Sequence, residues 1–228
     1  MNLFRRHFLI FTLLPCCILV ILTYLVYFWS LSGPFLFDDF PNLRPLISLN
    51  DGSLTWLEWV LGGTSGPTGR PVSLASFIFH ASSYPENPLP FKITNLVIHI
   101  INGLVLFFLV KFLLKIMMLT EKESVCGALI ASIFWLIHPF NMSSVTLVIQ
   151  RMTLIMTLFS LLALWLYVHA RSIMLKAPVK AYLLIFSAFC LLGGLSVLSK
   201  ENGALLPFYF LVLELTILQR LPMVNTQG

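Results

Sequence analysis

Residues 8–27 read FLIFTLLPCCILVILTYLVY, with no charged side chain along the run and Arg5-Arg6 just before it. About 20 apolar residues in a helix cross the hydrocarbon core of a bilayer. This stretch is therefore a membrane-spanning helix. A basic flank before an apolar run also begins a secretory signal. No small-residue cleavage site follows here, so the segment reads as a retained signal anchor. Extended to 8–29, it is the first of about six such runs, the others being 93–117, 125–140, 145–169, 181–199 and 203–219. The third is short and stops at His138-Pro139, which suggests an early end or a hairpin with the fourth.

The rest of the composition agrees. Of 228 residues, 58% are hydrophobic and only 10% are charged, and the mean hydropathy is +0.93. A soluble domain is nearer a quarter charged. The fold class expected is an all-α integral membrane protein, a single membrane domain over 1–228 that stops soon after its sixth helix, as a chain truncated at its C-terminal end would. The net charge of +5 does not indicate nucleic acid. The basic residues stand at the ends of apolar runs, with no basic stripe interleaved with aromatics. Cys16, Cys17, Cys126 and Cys190 fall inside apolar runs and read as small buried hydrophobes, with neither a disulfide framework nor metal-ligand spacing.

Basic residues near helix ends set orientation, because cytoplasmic loops are enriched in Lys and Arg. With a cytoplasmic N-terminus, that side carries Arg5, Arg6, Lys111, Lys115, Lys122, Arg171, Lys176, Lys180 and Arg220. The other side carries Arg44, Arg70, Lys92, Arg151 and Lys200. This places the long loop 30–92, the His138-Pro139 turn and the Lys200-Glu201 turn on the non-cytoplasmic face. In that loop, Asp51-Gly52-Ser53 is expected to cap a short aromatic-rich helix over 54–61. GGTSGPTG (62–69) forms a flexible hinge. Arg70-Pro71 opens a second short helix over 72–83. Both helices are expected to lie in the membrane interface.

Several polar groups stand out against this background. Asp38 and Asp39 follow the first span side by side. They read either as a solvated pair or as a catalytic carboxylate whose neighbour binds a divalent cation (Mg or Mn) or tunes its pKa. In KITNLVIHIIN, residues 92–102, Lys92, Asn95, His99 and Asn102 share one helical face. Such a stripe serves either helix–helix hydrogen bonding or a polar cavity. Arg151 lies near the start of the fourth run, behind Gln150 and across a short turn from His138. It is either a snorkelling anchor or a phosphate ligand. Lys200-Glu201 is either a loop ion pair or a lysine facing phosphate with Glu201 orienting it. Glu214 lies deeper and is expected to face other helices. His7, His80 and His169 are edge residues without an assigned role. The Asn141-Met142-Ser143 triplet fits an N-glycosylation acceptor by chance. The sequence has no P-loop, no dinucleotide fingerprint and no hydrolase elbow. A sugar or phosphate donor would therefore be lipid-linked.

Taken together, Asp38-Asp39 in a large first outer loop, Gly69-Arg70-Pro71, Asn95 with His99, FWLIHPF (134–140), IQRMTL (149–154) and LSKENG (198–203) resemble the membrane half of GT-C fold glycosyltransferases. The pattern is most similar to the transmembrane and tetratricopeptide-repeat O-mannosyltransferases and their bacterial relatives. The resemblance covers roughly residues 30–215. It implies transfer from a polyprenyl-phosphate sugar donor to a protein or glycan acceptor on the non-cytoplasmic face. In that reading Asp38 or Asp39 acts as base or metal ligand, and Arg70, His99, His138, Arg151, Lys200 and Glu201 serve the lipid phosphate. The chain departs from the pattern at Met152-Thr153, where an acid usually follows the arginine. From the style of the chain, the expected location is a bacterial inner membrane. The competing expectation is a non-catalytic membrane subunit for transport or assembly of cell-surface glycans.

Overall fold

The computed structural model describes residues 9–64 and 66–221. Arg5, Arg6, His7 and Phe8 lie outside the described residues. Among the described residues the chain is helical, with no strand. Four helices are long and apolar enough to cross a membrane: α1 (Leu9–Ser30), α6 (Leu89–Ile116), α9 (Val148–Ile173) and α10 (Pro178–Ser199). Another span arises only if α7 (Glu121–Leu136) is taken with the bent segment Pro139–Thr146, which departs by 50° and includes α8 (Met142–Thr146). The run at 203–219 does not form a further span by itself. It becomes a 3-10 turn, Glu201–Leu205, and α11 (Leu206–Thr216) of 11 residues. At 1.5 Å per residue α11 covers only about 16 Å.

Local chemistry explains the helix ends. Thr55 caps α4 (Trp56–Leu61) in a capping box with Glu58, and Thr120 does the same for α7 with Glu123. The cap expected at 51–53 is thus corrected. Thr55 with an acid three residues later satisfies two orphan amides, whereas Asp51 accepts only from Ser53. Pro15 cannot donate to the Phe11 carbonyl one turn earlier. Lys111 Nζ, 3.2 Å away, donates to it instead, and the helix begins with a π-turn over Leu9–Leu13.

The 50° break leaves carbonyls without helical partners, and the polar stripe of α6 fills them. Leu136 O accepts from both Tyr27 Oη at 3.0 Å and His99 Nε2 at 2.9 Å. Asn95 Nδ2 donates to Leu147 O at 3.1 Å and lies within 3.4 Å of Val145 O and Val148 O. Asn102 Nδ2 donates to Leu154 O at 2.9 Å. Helix–helix hydrogen bonding therefore uses Asn95, His99 and Asn102, while His99 Nδ1 and Asn102 Oδ1 are buried without a hydrogen-bond partner among the described residues. Where α6 and α7 cross, Gly103 permits close approach, because a Cβ there would stand 2.5 Å from Leu136 Cδ2. Gly103→Val is expected to lower stability by about 1–3 kcal/mol through overpacking, read as an earlier thermal transition in detergent. An unchanged transition would show that the crossing tolerates side-chain bulk.

The 30–88 segment folds over one end of the bundle. Besides α4 it contains α2 (Asp39–Leu43), α3 (Leu46–Asn50) and α5 (Pro71–Phe77), the last continuing as a 3-10 helix to Ser83. The helices α2 and α3 were not foreseen from sequence. Phe35, Leu43, Leu46, Trp59, Leu74, Phe77 and Tyr84 bury themselves against Phe91 at the start of α6 and Val148, Ile149 and Met152 at the start of α9. The loop thus has its own apolar core, which seats it on two spans. At the opposite end of the bundle, Lys111 and Lys115 each pair with Glu121 at 2.8 Å. Glu214 faces Arg171 and Tyr167 of α9.

Candidate functional site

The run Ile149-Gln150-Arg151-Met152-Thr153 is where the separate sequence features meet. It opens α9 after a 3-10 turn, Val148–Gln150, and so aims successive side chains around one end of the bundle. Ile149 N donates to Asp39 Oδ1 at 2.8 Å. Gln150 Oε1 accepts from Lys200 Nζ at 3.3 Å, and Thr153 Oγ1 accepts from the same ammonium at 2.8 Å. Met152 Sδ receives Arg70 Nη1 at 3.5 Å.

Arg151 itself is fully buried. Its Nε donates to Asn95 Oδ1 at 2.9 Å, Nη1 to Ser76 O at 2.9 Å and Nη2 to Phe91 O at 3.0 Å. The guanidinium also stacks over Phe77, 4.6 Å from its ring centre. A buried cation without an ion-pair partner is tolerated when its donors are matched. Here the matching groups come from the loop, through Ser76, and from α6, through Phe91 and Asn95. The acid missing after Arg151 in sequence is replaced by these neutral acceptors. Arg151 therefore joins loop to bundle and has no surface from which to touch a lipid phosphate. The same holds for His99, also fully buried, packed between Tyr27 and Trp135 at centroid distances of 5.3 and 5.0 Å.

The adjacent acids are divided. Asp39 is fully buried, and its second oxygen accepts from Leu36 N at 3.0 Å. Asp38 is exposed, with no side-chain partner among the described residues. Phe37 between Leu36 and Asp38 adopts φ 45°, a left-handed backbone unusual for a bulky residue. The turn closes through Asp39 N to Leu36 O at 2.9 Å. It sends one carboxylate inward and leaves the other outside. The pair consequently does not fit the expected two-carboxylate cation site, since both oxygens of Asp39 already serve main-chain amides. Among the described residues no group of three or more His, Cys, Asp or Glu gathers.

Arg70 and Glu201 form a forked ion pair, with Nη2–Oε2 at 2.8 Å and Nε–Oε1 at 3.0 Å. Arg70 holds the Glu201 carboxyl below the usual glutamate range. Gly66, at φ +94°, closes over this pair, and a side chain there would strike Glu201 Oε1. Lys200 hydrogen-bonds only to neutral partners, with the charges of Arg70 and Glu201 within electrostatic reach. Burial, then the nearby charge of Arg70, pushes its ammonium pKa down. His138 is exposed at the helix break, and its Nδ1 accepts from Phe140 N at 3.2 Å.

Asp39, Arg70, Arg151, Lys200 and Glu201 are thus linked through residues 149–153. Asp38 stands on the adjoining surface, whereas His99 and His138 belong to the break. Gln150 and Thr153, named in sequence only as neighbours of Arg151, prove to hold Lys200. Lys92 was noticed only for its helical face. It is buried, with Nζ 3.5 Å from Ser30 O and within electrostatic reach of Asp39.

In sequence, the chain is 30% identical over 194 residues to a protein O-mannosyl-transferase of Caenorhabditis elegans. The match covers 82% of this chain and 26% of that protein, so the chain spans about a quarter of the length of the curated relative it matches. It supports a glycosyltransferase relationship. The relative is an animal protein and lends no support to a bacterial inner membrane. No family model matches the chain, and no solved structure matches it.

Proposed function

We propose that this chain is a membrane glycosyltransferase or a membrane part of one. It transfers a sugar from a polyprenyl-phosphate-linked donor to a protein or glycan acceptor on the non-cytoplasmic face. The observation carrying this reading is the exposed Asp38 carboxylate, on a loop clamped to the same run of α9 that holds Lys200. In the reaction, Asp38 takes the acceptor hydroxyl proton as that oxygen bonds to the anomeric carbon. The bond from that carbon to the phosphate oxygen breaks, and its electron pair leaves with the phosphate. Lys200 carries no carboxylate partner of its own and supplies positive charge where the leaving phosphate gains negative charge. Arg70, kept in place by Glu201, stands beside it. An apolar groove of about 590 Å³ between the end of α1 and the start of α6, lined by Tyr24, Phe28, Trp29 and Ile93, offers the polyprenyl chain a seat. The excess of Lys and Arg at the opposite end supports a cytoplasmic N-terminus.

The test is Lys200→Ala in membranes given a polyprenyl-phosphate sugar. The kcat/KM for donor is expected to fall about tenfold or more, as for loss of a charge-assisted hydrogen bond, with the acceptor KM unchanged. An unaltered kcat/KM for donor removes Lys200 from the phosphate site.

A further inference from the structure

One turn beyond Asp38, a groove of about 550 Å³ opens across the outer loop. Pro41, Asn42 and Pro45 of one segment line it together with Glu58 and Trp59 of α4 and the main chain at Gly62-Gly63-Thr64. Asn42 ties the groove to the carboxylate-bearing turn, since its Nδ2 donates to Asp38 O at 2.7 Å. Phe37 and Phe40, 79% and 53% exposed, flank Asp38. Sinking those rings into hydrocarbon would take an unpaired carboxylate with them, which is costly. This surface therefore faces water.

Among the described residues lining the groove, Glu58 is the one ionisable side chain. It is exposed, and the capping box fixes it. Its Oε2 accepts from Thr55 N at 2.8 Å and Thr55 Oγ1 at 2.7 Å, which leaves Oε1 directed to solvent. Those bonds also keep its carboxyl below the usual glutamate range. Arg44 lies between Asn42 and Pro45 in sequence but does not line the groove, and Arg70 is held by Glu201.

We infer that this groove is the acceptor site, taking an extended polypeptide whose hydroxyl residue is flanked by lysine or arginine, with Glu58 setting that charge preference. The inference rests on the reading of Asp38 given above. A polypeptide suits an open trough walled by Pro41 and Pro45 and open along the exposed Gly62 and Thr64.

The experiment measures binding of fluorescein-labelled serine hexapeptides, flanked by lysine or by glutamate, to the detergent-solubilised chain. At low salt the lysine-flanked peptide is expected to bind about fivefold tighter, as for an exposed ion pair, with the preference fading as salt rises. Glu58→Gln keeps a capping side chain and should bring the two peptides level. Glu58→Lys should reverse their order. Equal binding to the unaltered chain, or a preference that survives Glu58→Gln, overturns the assignment. So does displacement of the peptide by a neutral oligosaccharide. Charge-selective binding without any Asp38-dependent sugar transfer would leave the groove standing and overturn the glycosyltransferase reading alone. Transfer without charge selection would do the reverse.

Discussion

Replacing Arg151 with methionine is expected to cost the protein more than about 3 kcal/mol of stability and most of its accumulation in membranes. The substitution strands Asn95 Oδ1, Ser76 O and Phe91 O, three acceptors in a buried setting. Each buried group left unpaired costs about 1–3 kcal/mol. Arg151→Lys should rescue little, because a single ammonium cannot reproduce the planar fork that reaches three acceptors on two elements. Thermal unfolding in detergent, read alongside protein levels, checks this. A methionine variant that melts with the parent chain would show that the loop is held on the bundle by its apolar core alone.

The two neighbouring aspartates are expected to fail in different ways. Asp38→Asn should melt like the unaltered chain and lose transfer by a factor of about 10²–10⁴, the range for removal of a general base. Asp39→Asn should lose stability first. An amide cannot accept through its nitrogen, so one of Ile149 N and Leu36 N is left unpaired at a cost of about 1–3 kcal/mol. The change also removes the negative charge near buried Lys92. Measuring melting and transfer on both variants separates the roles. Equal loss of activity with equal melting in both would contradict the division of the pair.

The membrane class and the main spans were legible because apolar runs of bilayer length leave few alternatives. The His138-Pro139 break was legible too, from the proline. What sequence could not supply was the destination of each polar group. Asp38 and Asp39 look alike in a string, and only the left-handed turn at Phe37 and the reach to Ile149 distinguish them. Arg151 resembled a phosphate ligand because its partners lie 56, 60 and 75 residues away and two of them are main-chain carbonyls. The stripe on α6 was visible as a stripe, but its purpose depends on which carbonyls the bent segment frees. The loop helices α2 and α3 are five residues each, too short to show a period. They form because Leu43 and Leu46 bury into the core under Trp59 and Phe77.

The most direct measurement is sugar transfer from a radiolabelled polyprenyl-phosphate donor in membranes holding equal amounts of the unaltered chain and the Asp38→Asn chain. The account predicts labelled acceptor with the first and a loss of at least about a hundredfold with the second. Equal labelling by the two chains would contradict it.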